Sequence, residues 1–250
     1  MIDLRPTKPR ALCATLPRSF AVETLLDRVE IGRPSLTFKG PKGIRDGTEL
    51  LSVMQEMLES PGRVLDLGCG PRDQAEPIAS LGHQYVGIDL VSEKADIRAD
   101  AHALPFRDAS FDCVFSYTVL QHLHNPFVAF DEVNRVLKAG GVYIGTVSQG
   151  EPFQSSYFHY TAWGILAMAQ AFDFRVLRLW SCLDTLSGLA RMGSYPRVLR
   201  YGLRCLNWMN ARLPILSPRK MRWPERKKAL DEVYRAAHIA FVMRKEAKIS

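Results

Sequence analysis

Short apolar runs separated by amphipathic stretches set the pattern of this chain. Arg63–Leu67, Tyr85–Ile88, Phe111–Ser116, Val142–Val147, Arg175–Trp180 and His238–Lys245 are brief and bounded by glycine, proline or charge, so they read as strands. Between them, apolar residues recur at helical spacing in a stretch opening at Asp46, in Pro126–Leu137 and in Thr161–Ala171. Gly140-Gly141 reads as the stop of the second helix. Alternating strands and helices predict an α/β domain built on a mostly parallel sheet. One interval is too short for that rule. About ten residues separate Asp89 from Asp100, and Ala95–Ala99 must supply a strand there, whereas a parallel crossover takes a dozen or more. The second crossover is therefore expected to be a turn without a helix.

The first strand runs into Gly68-Cys69-Gly70-Pro71, and a helix start is expected at Asp73, with Glu76 at capping-box distance. Gly68 and Gly70 let the backbone bend and come close to a ligand that a Cβ would push away. A strand, a glycine turn and a helix N-terminus form the nucleotide site of doubly wound sheets. The second strand ends in Asp89, beside that turn, where a carboxylate can accept from both ribose hydroxyls. Asp66, just before the turn, suits an amino group. The third glycine of a dinucleotide fingerprint is missing, because Asp73 stands there, and no G-x-x-x-x-G-K-[ST] loop occurs. The expected ligand is a nucleoside carrying an amino acid.

Three further stretches carry a family likeness. They are Asp100-Ala101-His102-Ala103-Leu104-Pro105-Phe106 with Ser110-Phe111-Asp112, then Tyr117–Leu123, then Glu132-Val133-Asn134-Arg135-Val136-Leu137-Lys138-Ala139-Gly140-Gly141. With the glycine turn, they resemble in order the motifs of the class I S-adenosylmethionine-dependent methyltransferases. The resemblance implies a Rossmann-like, doubly wound, seven-stranded sheet, mostly parallel, with an antiparallel last strand inserted between strands 5 and 6. It implies S-adenosyl-L-methionine as cofactor, S-adenosyl-L-homocysteine as product, and no metal. The cofactor residues it implies are Asp66, Gly68, Cys69, Gly70, Asp89, Leu90, Asp100, Ala101, Ser116 and Tyr117. Asp100 then meets the adenine amino group; the competing reading is an Asp capping the turn before Ala103. Cys69 reads more readily as a small filler than as a nucleophile.

The stretch Glu151–Thr161, with Gly164-Ile165-Leu166 and Phe172-Asp173-Phe174, resembles a branch of that family with a shortened second helix. Members of that branch often act on sugars and other biosynthetic precursors. His159 and Tyr160 depart from its pattern, as do Arg72 and Gln121. Methyl transfer from a sulfonium is an in-line displacement that depends mainly on positioning. For a hydroxyl acceptor a histidine base suits neutral pH, so His122 and His159 are the candidate catalytic residues, against structural or surface roles. Gln121, Tyr157 and Tyr160 are the candidate substrate contacts, against core packing. The expected activity is O-methylation of a small molecule, sugar or lipid-linked precursor. The alternative is a cofactor-binding domain that serves a partner without its own turnover.

Composition adds a division of charge. The chain of 250 residues carries a net +7, yet from Arg191 onward 15 Lys and Arg stand against 4 Asp and Glu, leaving the preceding part negative. The basic character belongs to an insertion, residues 181–236, between the last two strands of a core formed by 46–180 and 237–250. Residues 1–45 are expected to form a lid or arm. Within the insertion, Pro196–Arg212 can form a helix with Arg197, Arg200 and Arg204 on one side, and Ser217–Lys228 is basic with one tryptophan. A solvated helical subdomain, an anionic membrane surface and an anionic partner such as RNA are the competing readings, with nucleic acid the weakest. The five cysteines show neither CxxC pairing nor metal spacing, and the start lacks a signal-peptide core. A cytoplasmic protein is expected, with attachment to the inner membrane face left open and oligomeric state unread.

Overall fold

The strands form where the apolar runs are, and a computed structural model shows how they assemble. It describes residues 29–31, 48–150, 156–184, 196, 198, 199, 201, 202, 205, 206, 209, 233, 234 and 236–246. The strands are β1 (Glu30–Ile31), β2 (Arg63–Leu67), β3 (Gln84–Asp89), β4 (Ile97–Arg98), β5 (Phe111–Tyr117), β6 (Leu137–Ser148), β7 (Phe174–Asp184) and β8 (Ala236–Lys245). The helices are α1 (Thr48–Met57), α2 (Ala75–Ser80), α3 (Pro126–Val136) and α4 (Ala162–Ala171).

One sheet holds all eight strands in the order β1-β7-β8-β6-β5-β2-β3-β4. The seven expected strands are present, and β8 lies antiparallel between β6 and β7, with Ile144 opposite Val242 and Leu179 opposite Phe241. The addition is the two-residue β1, which pairs in parallel with β7 and is tied by Arg178 Nε donating to Glu30 over 3.1 Å. Because β8 is antiparallel to both neighbours, β6 and β7 run the same way. The carboxyl ends of every strand except β8 therefore share one edge, where open α/β sheets hold ligands.

Successive side chains on a strand face opposite sides. Leu65, Leu67, Val114 and Tyr143 join one core with Phe130 of α3 and Ile165 of α4. Val64, Cys113, Phe115 and Ile144 join a second with Leu50, Val53 and Met54 of α1 and Ile78 of α2. Each such buried side chain contributes about 1.5–3 kcal/mol. Coverage on both faces explains why β2 and β5 read as continuous apolar runs rather than alternating ones.

Three local expectations are corrected. The α2 helix opens at Ala75 rather than Asp73, and its N-cap, Gln74, makes no side-chain cap, so the Asp73/Glu76 box is not formed. Arg72 takes a left-handed φ of 66° inside two successive turns, Arg72 N to Cys69 O and Ala75 N to Arg72 O, which use up the residues before the helix. Gly140-Gly141 does not stop α3, because Leu137 is already extended. Instead Phe111 pairs with Leu137 and Cys113 with Val142, so the residues between bulge from β6, with Gly140 at φ 75°.

Between β3 and β4 the chain makes turns and no helix, as the spacing predicts. Two of the family-like stretches meet in space. Glu132 Oε2 accepts from Leu104 N over 2.7 Å, and Arg135 donates to the carbonyls of Leu104 (2.9 Å) and Phe106 (2.7 Å). That clamp fixes the loop that leaves β4 and carries Asp100. Four expected features lie outside the described residues: Ser19–Val29 (save the buried Val29), Phe38–Gly43, residues 151–155 and most of 181–236.

Candidate functional site

The glycine turn is held from both sides. Cys69 N donates to Ile88 O over 2.9 Å, joining the turn to β3. Gly68 has φ 70°, and a Cβ there would lie 2.5 Å from Val119 Cγ2, so the loop after β5 forms the floor of the turn and only glycine fits. Gly70, at φ 50°, is the opposite case, because a Cβ there would meet nothing within 4 Å. The turn is packed below Gly68 and open above Gly70.

Asp89 caps this opening. Its Oδ2 accepts from Gly70 N (3.0 Å), and its Oδ1 accepts from Val91 N and Ser92 N (2.9 Å each). Ser92 Oγ donates back to Gly70 O. Partial burial pushes the Asp89 carboxyl up, but the Val91, Ser92 and Gly70 amides outweigh it and hold the group below the usual range. A carboxylate has about four acceptor positions, and these bonds fill three. Leu90 projects its apolar side chain into solvent beside it.

Beneath the turn is a second carboxylate in a different state. Asp66 is 2% exposed and accepts from the Tyr85 hydroxyl over 2.8 Å. Gly87 lies opposite Asp66 in the β2–β3 register, and a Cβ on it would fall 2.5 Å from that hydroxyl. The missing side chain is the slot through which Tyr85 reaches Asp66. Arg72 stacks on the Tyr85 ring, 5.3 Å to the centroid, and pairs with Asp96 at 2.8 Å, while Asp96 accepts from Gly87 N. Burial raises the Asp66 carboxyl to about 7 despite the Tyr85 bond. Burial, then the neighbouring Asp66, pushes the Cys69 thiol up to about 11, so it stays protonated and acts as filler.

At the end of β4, Asp100 Oδ1 accepts from both His102 N and His102 Nδ1. Burial is outweighed by these His102 bonds, and the carboxyl is lowered. His102 Nε2 accepts from Asn125 N over 3.2 Å, which assigns the ring proton to Nδ1. His124 lies against the His102 ring, with centroids 4.1 Å apart. The turn-capping role of Asp100 is thus realised, and Ala101 beside it is buried.

Several sequence candidates take other places. Ser116 is wholly buried opposite Gly145, because β5 continues to Tyr117 and turns at Thr118 (φ 56°), presenting Val119 to the site instead. Tyr117 packs against the α1-side core. Gln121 is 0% exposed; its Nε2 donates to Thr118 O, and its carbonyl accepts from Tyr157 N. Tyr160 is buried with its hydroxyl on Leu120 O at 3.0 Å. Gln121 and Tyr160 therefore brace the loop after β5 from inside rather than lining the cleft. His122, Tyr157 and His159 are exposed, His122 within a short 3-10 turn, Leu120–His122.

The residues that sequence reasoning missed are Tyr85, Ser92, Val119 and Asp96. A Tyr two positions before a strand glycine was the legible signal for the first, since both face one side of the sheet. The side chains of the others are brought to the turn by the loops after β3 and β5, and no sequence spacing signals that.

Residues 65–145 match the family described as a methyltransferase domain. Over 133 residues the chain is 31% identical to the malonyl-[acyl-carrier protein] O-methyltransferase of Legionella pneumophila, covering 47% of this chain and 46% of that one. The chain spans less than half the length of the curated relatives it matches. Among solved structures, the [4+2]-cyclase SpnF aligns with TM-score 0.55 at 20% identity, over 90% of this chain and 93% of that one. The 1,6-didemethyltoxoflavin-N1-methyltransferase of Burkholderia thailandensis, solved with S-adenosylhomocysteine, aligns with TM-score 0.54 at 15% identity, over 81% and 79%. Residues 65–145 of this chain are thus a methyltransferase domain, set in an eight-stranded Rossmann-like sheet with an antiparallel β8 and a glycine turn closed by Asp89.

Proposed function

We propose that this chain transfers a methyl group from S-adenosylmethionine to a hydroxyl of a small molecule, sugar or lipid-linked precursor. The observation that carries the cofactor assignment is the open face of Gly70 beside the anchored Asp89 carboxylate. The residues fit the group. Gly70 leaves room for a backbone-close approach, Asp89 retains acceptor capacity for ribose hydroxyls, and exposed Leu90 offers an apolar surface to a base. Asp66, buried with its carboxyl raised to about 7, gains most from a cationic partner, as the ammonium of the amino-acid tail is. Asp100 would face the adenine through the carboxylate edge not used by His102.

When bound, the cofactor supplies an electrophilic methyl group. The chain orients it through the turn and excludes water by packing Val119 below. His122 and His159 are the groups for removing a hydroxyl proton at neutral pH, and Tyr157 is the exposed ring for the acceptor. The preference for oxygen draws on the name of the Legionella relative. A cyclase shares the fold, so the assay must read methyl transfer itself.

Titration calorimetry with S-adenosylhomocysteine tests the site. Wild-type protein is expected to bind, and Asp89→Ala to bind at least about tenfold more weakly, one tenfold step being about 1.4 kcal/mol. Unchanged affinity in a folded Asp89→Ala protein would remove the assignment. Release of the demethylated cofactor with hydroxylated acceptors, and its loss in His122→Ala, tests the chemistry.

A further inference from the structure

Resting on the cofactor reading above, we infer that His102 is a positioning residue that ties Asp100, the carboxylate assigned to adenine, to the loop after β5. Cofactor binding and closure of the acceptor side are thereby coupled, which methyl transfer by itself does not require.

The tie is built from one imidazole ring. His102 Nδ1 donates to Asp100 Oδ1 over 2.5 Å, and His102 N donates to the same oxygen over 2.9 Å. On the other side of the ring, Nε2 accepts from Asn125 N over 3.2 Å. A neutral imidazole offers one donor and one acceptor, and both are used here. A carboxylate at position 102 would repel Asp100, and a lysine or arginine would have no acceptor for Asn125. The Asp100 side chain is 46% exposed and that of His102 13%, so the ring lies beneath the carboxylate it aims. With both His102 bonds on Oδ1, the Oδ2 oxygen is left to face an amino group.

The loop after β5 is gripped at three places. At its start Val119 lies under the glycine turn, where a Cβ on Gly68 would strike it. In its middle, Gln121 O accepts from Tyr157 N over 2.8 Å, and Leu120 O accepts from the Tyr160 hydroxyl over 3.0 Å. Those bonds hold the segment that carries the exposed Tyr157 and His159. At its end stands Asn125, the N-cap of α3, whose amide has no place in the helical ladder and goes to His102 instead. His122 sits between the last two grips. Further along α3, Glu132 and Arg135 clamp Leu104 and Phe106, so the loop after β4 and α3 already move as one piece. The imidazole extends that piece from the adenine carboxylate to the loop that holds the candidate base. A ligand that fixes Asp100 then also quiets this loop, and by linkage a quiet loop favours the ligand.

Hydrogen exchange of the full chain, with S-adenosylhomocysteine as the probe, tests this without knowledge of the acceptor. Thr118, His122, Leu123 and Asn125 all donate their amides, so exchange over residues 118–125 reports opening of the loop. In wild type the compound is expected to slow that exchange about tenfold or more. The variants H102N and H102Q split the ring. Asparagine places a donor where Nδ1 stands and has nothing at the Nε2 position, whereas glutamine reaches that position and gives up the Nδ1 donor. H102N is expected to bind the compound within about threefold of wild type and to lose the protection of the loop. H102Q is expected to keep the loop exchange of the free protein and to bind about tenfold more weakly. A residue that only held the fold would lower affinity, loop protection and melting temperature together in both variants. That result would overturn the inference, as would loop protection indifferent to H102N. Wild-type protein that binds the compound with no change in loop exchange removes the coupling alone. Wild-type protein that does not bind it removes the cofactor reading and the coupling with it.

Discussion

Asp66 and Asp89 are the same residue type a few ångströms of backbone from one turn, and their surroundings drive them apart. Asp89 receives three amides and is lowered, while Asp66 receives one hydroxyl in a dry pocket and is raised to about 7. The raised group favours the fold when protonated. Its contribution is full below its unfolded value near 4 and is lost as pH rises through about 7. Asp66→Asn is therefore expected to gain stability relative to wild type between about pH 4 and 7, by an amount on the order of a few kcal/mol. Urea denaturation at several pH values measures it, and a pH-independent difference would contradict the assignment. If the ammonium of the cofactor pairs with Asp66, wild-type affinity should also tighten as pH rises through about 7 and flatten in Asp66→Asn. Gly87→Ala is a further test, because its Cβ would displace the Tyr85 hydroxyl from Asp66 and leave a buried acceptor short of its bond, costing about 1–3 kcal/mol.

Among the elements, the glycine turn separates folding from binding. Gly68→Ala would drive a Cβ into Val119 and strain a left-handed backbone, so thermal stability should fall markedly. Gly70→Ala meets open space and suffers only the backbone cost, about 1 kcal/mol. Its cofactor affinity should fall well beyond that, by about tenfold or more, because the new methyl occupies the approach path. Calorimetry beside melting curves distinguishes the two variants, and equal losses of stability would contradict this account of the turn. Within the sheet, a Cβ on Gly145 would lie 2.6 Å from the Ser116 carbonyl oxygen. Backbone cannot yield as a side chain can, so Gly145→Ala is expected to destabilise by at least about 2 kcal/mol, read from urea denaturation.

At the scale of the whole molecule, the strands and the missing second crossover helix were legible because apolar runs and spacings report burial directly, whereas the place of β8 between β6 and β7 was expected only from the family resemblance. The glycines and Asp89 were legible because a turn at a strand end demands them. Ser116, Gln121 and Tyr160 were misplaced for one reason, that nearness to a strand end in sequence does not say which way a side chain points once the loop after β5 turns at Thr118. Asp73 was misplaced because Arg72 adopts a backbone conformation that its residue type does not advertise. The Tyr85–Asp66 contact depends on the β2–β3 register, which only the folded sheet supplies. SpnF shows that a protein named a cyclase shares this architecture, so the fold supplies a cradle and its use rests on the residues around it. A crystal structure grown with S-adenosylhomocysteine examines that cradle most directly. The account predicts the nucleoside over Gly70, its ribose hydroxyls on Asp89 and its amino group beside Asp66. Crystals in which the compound lies elsewhere, or in which that crevice stays empty at saturating concentration, would contradict it.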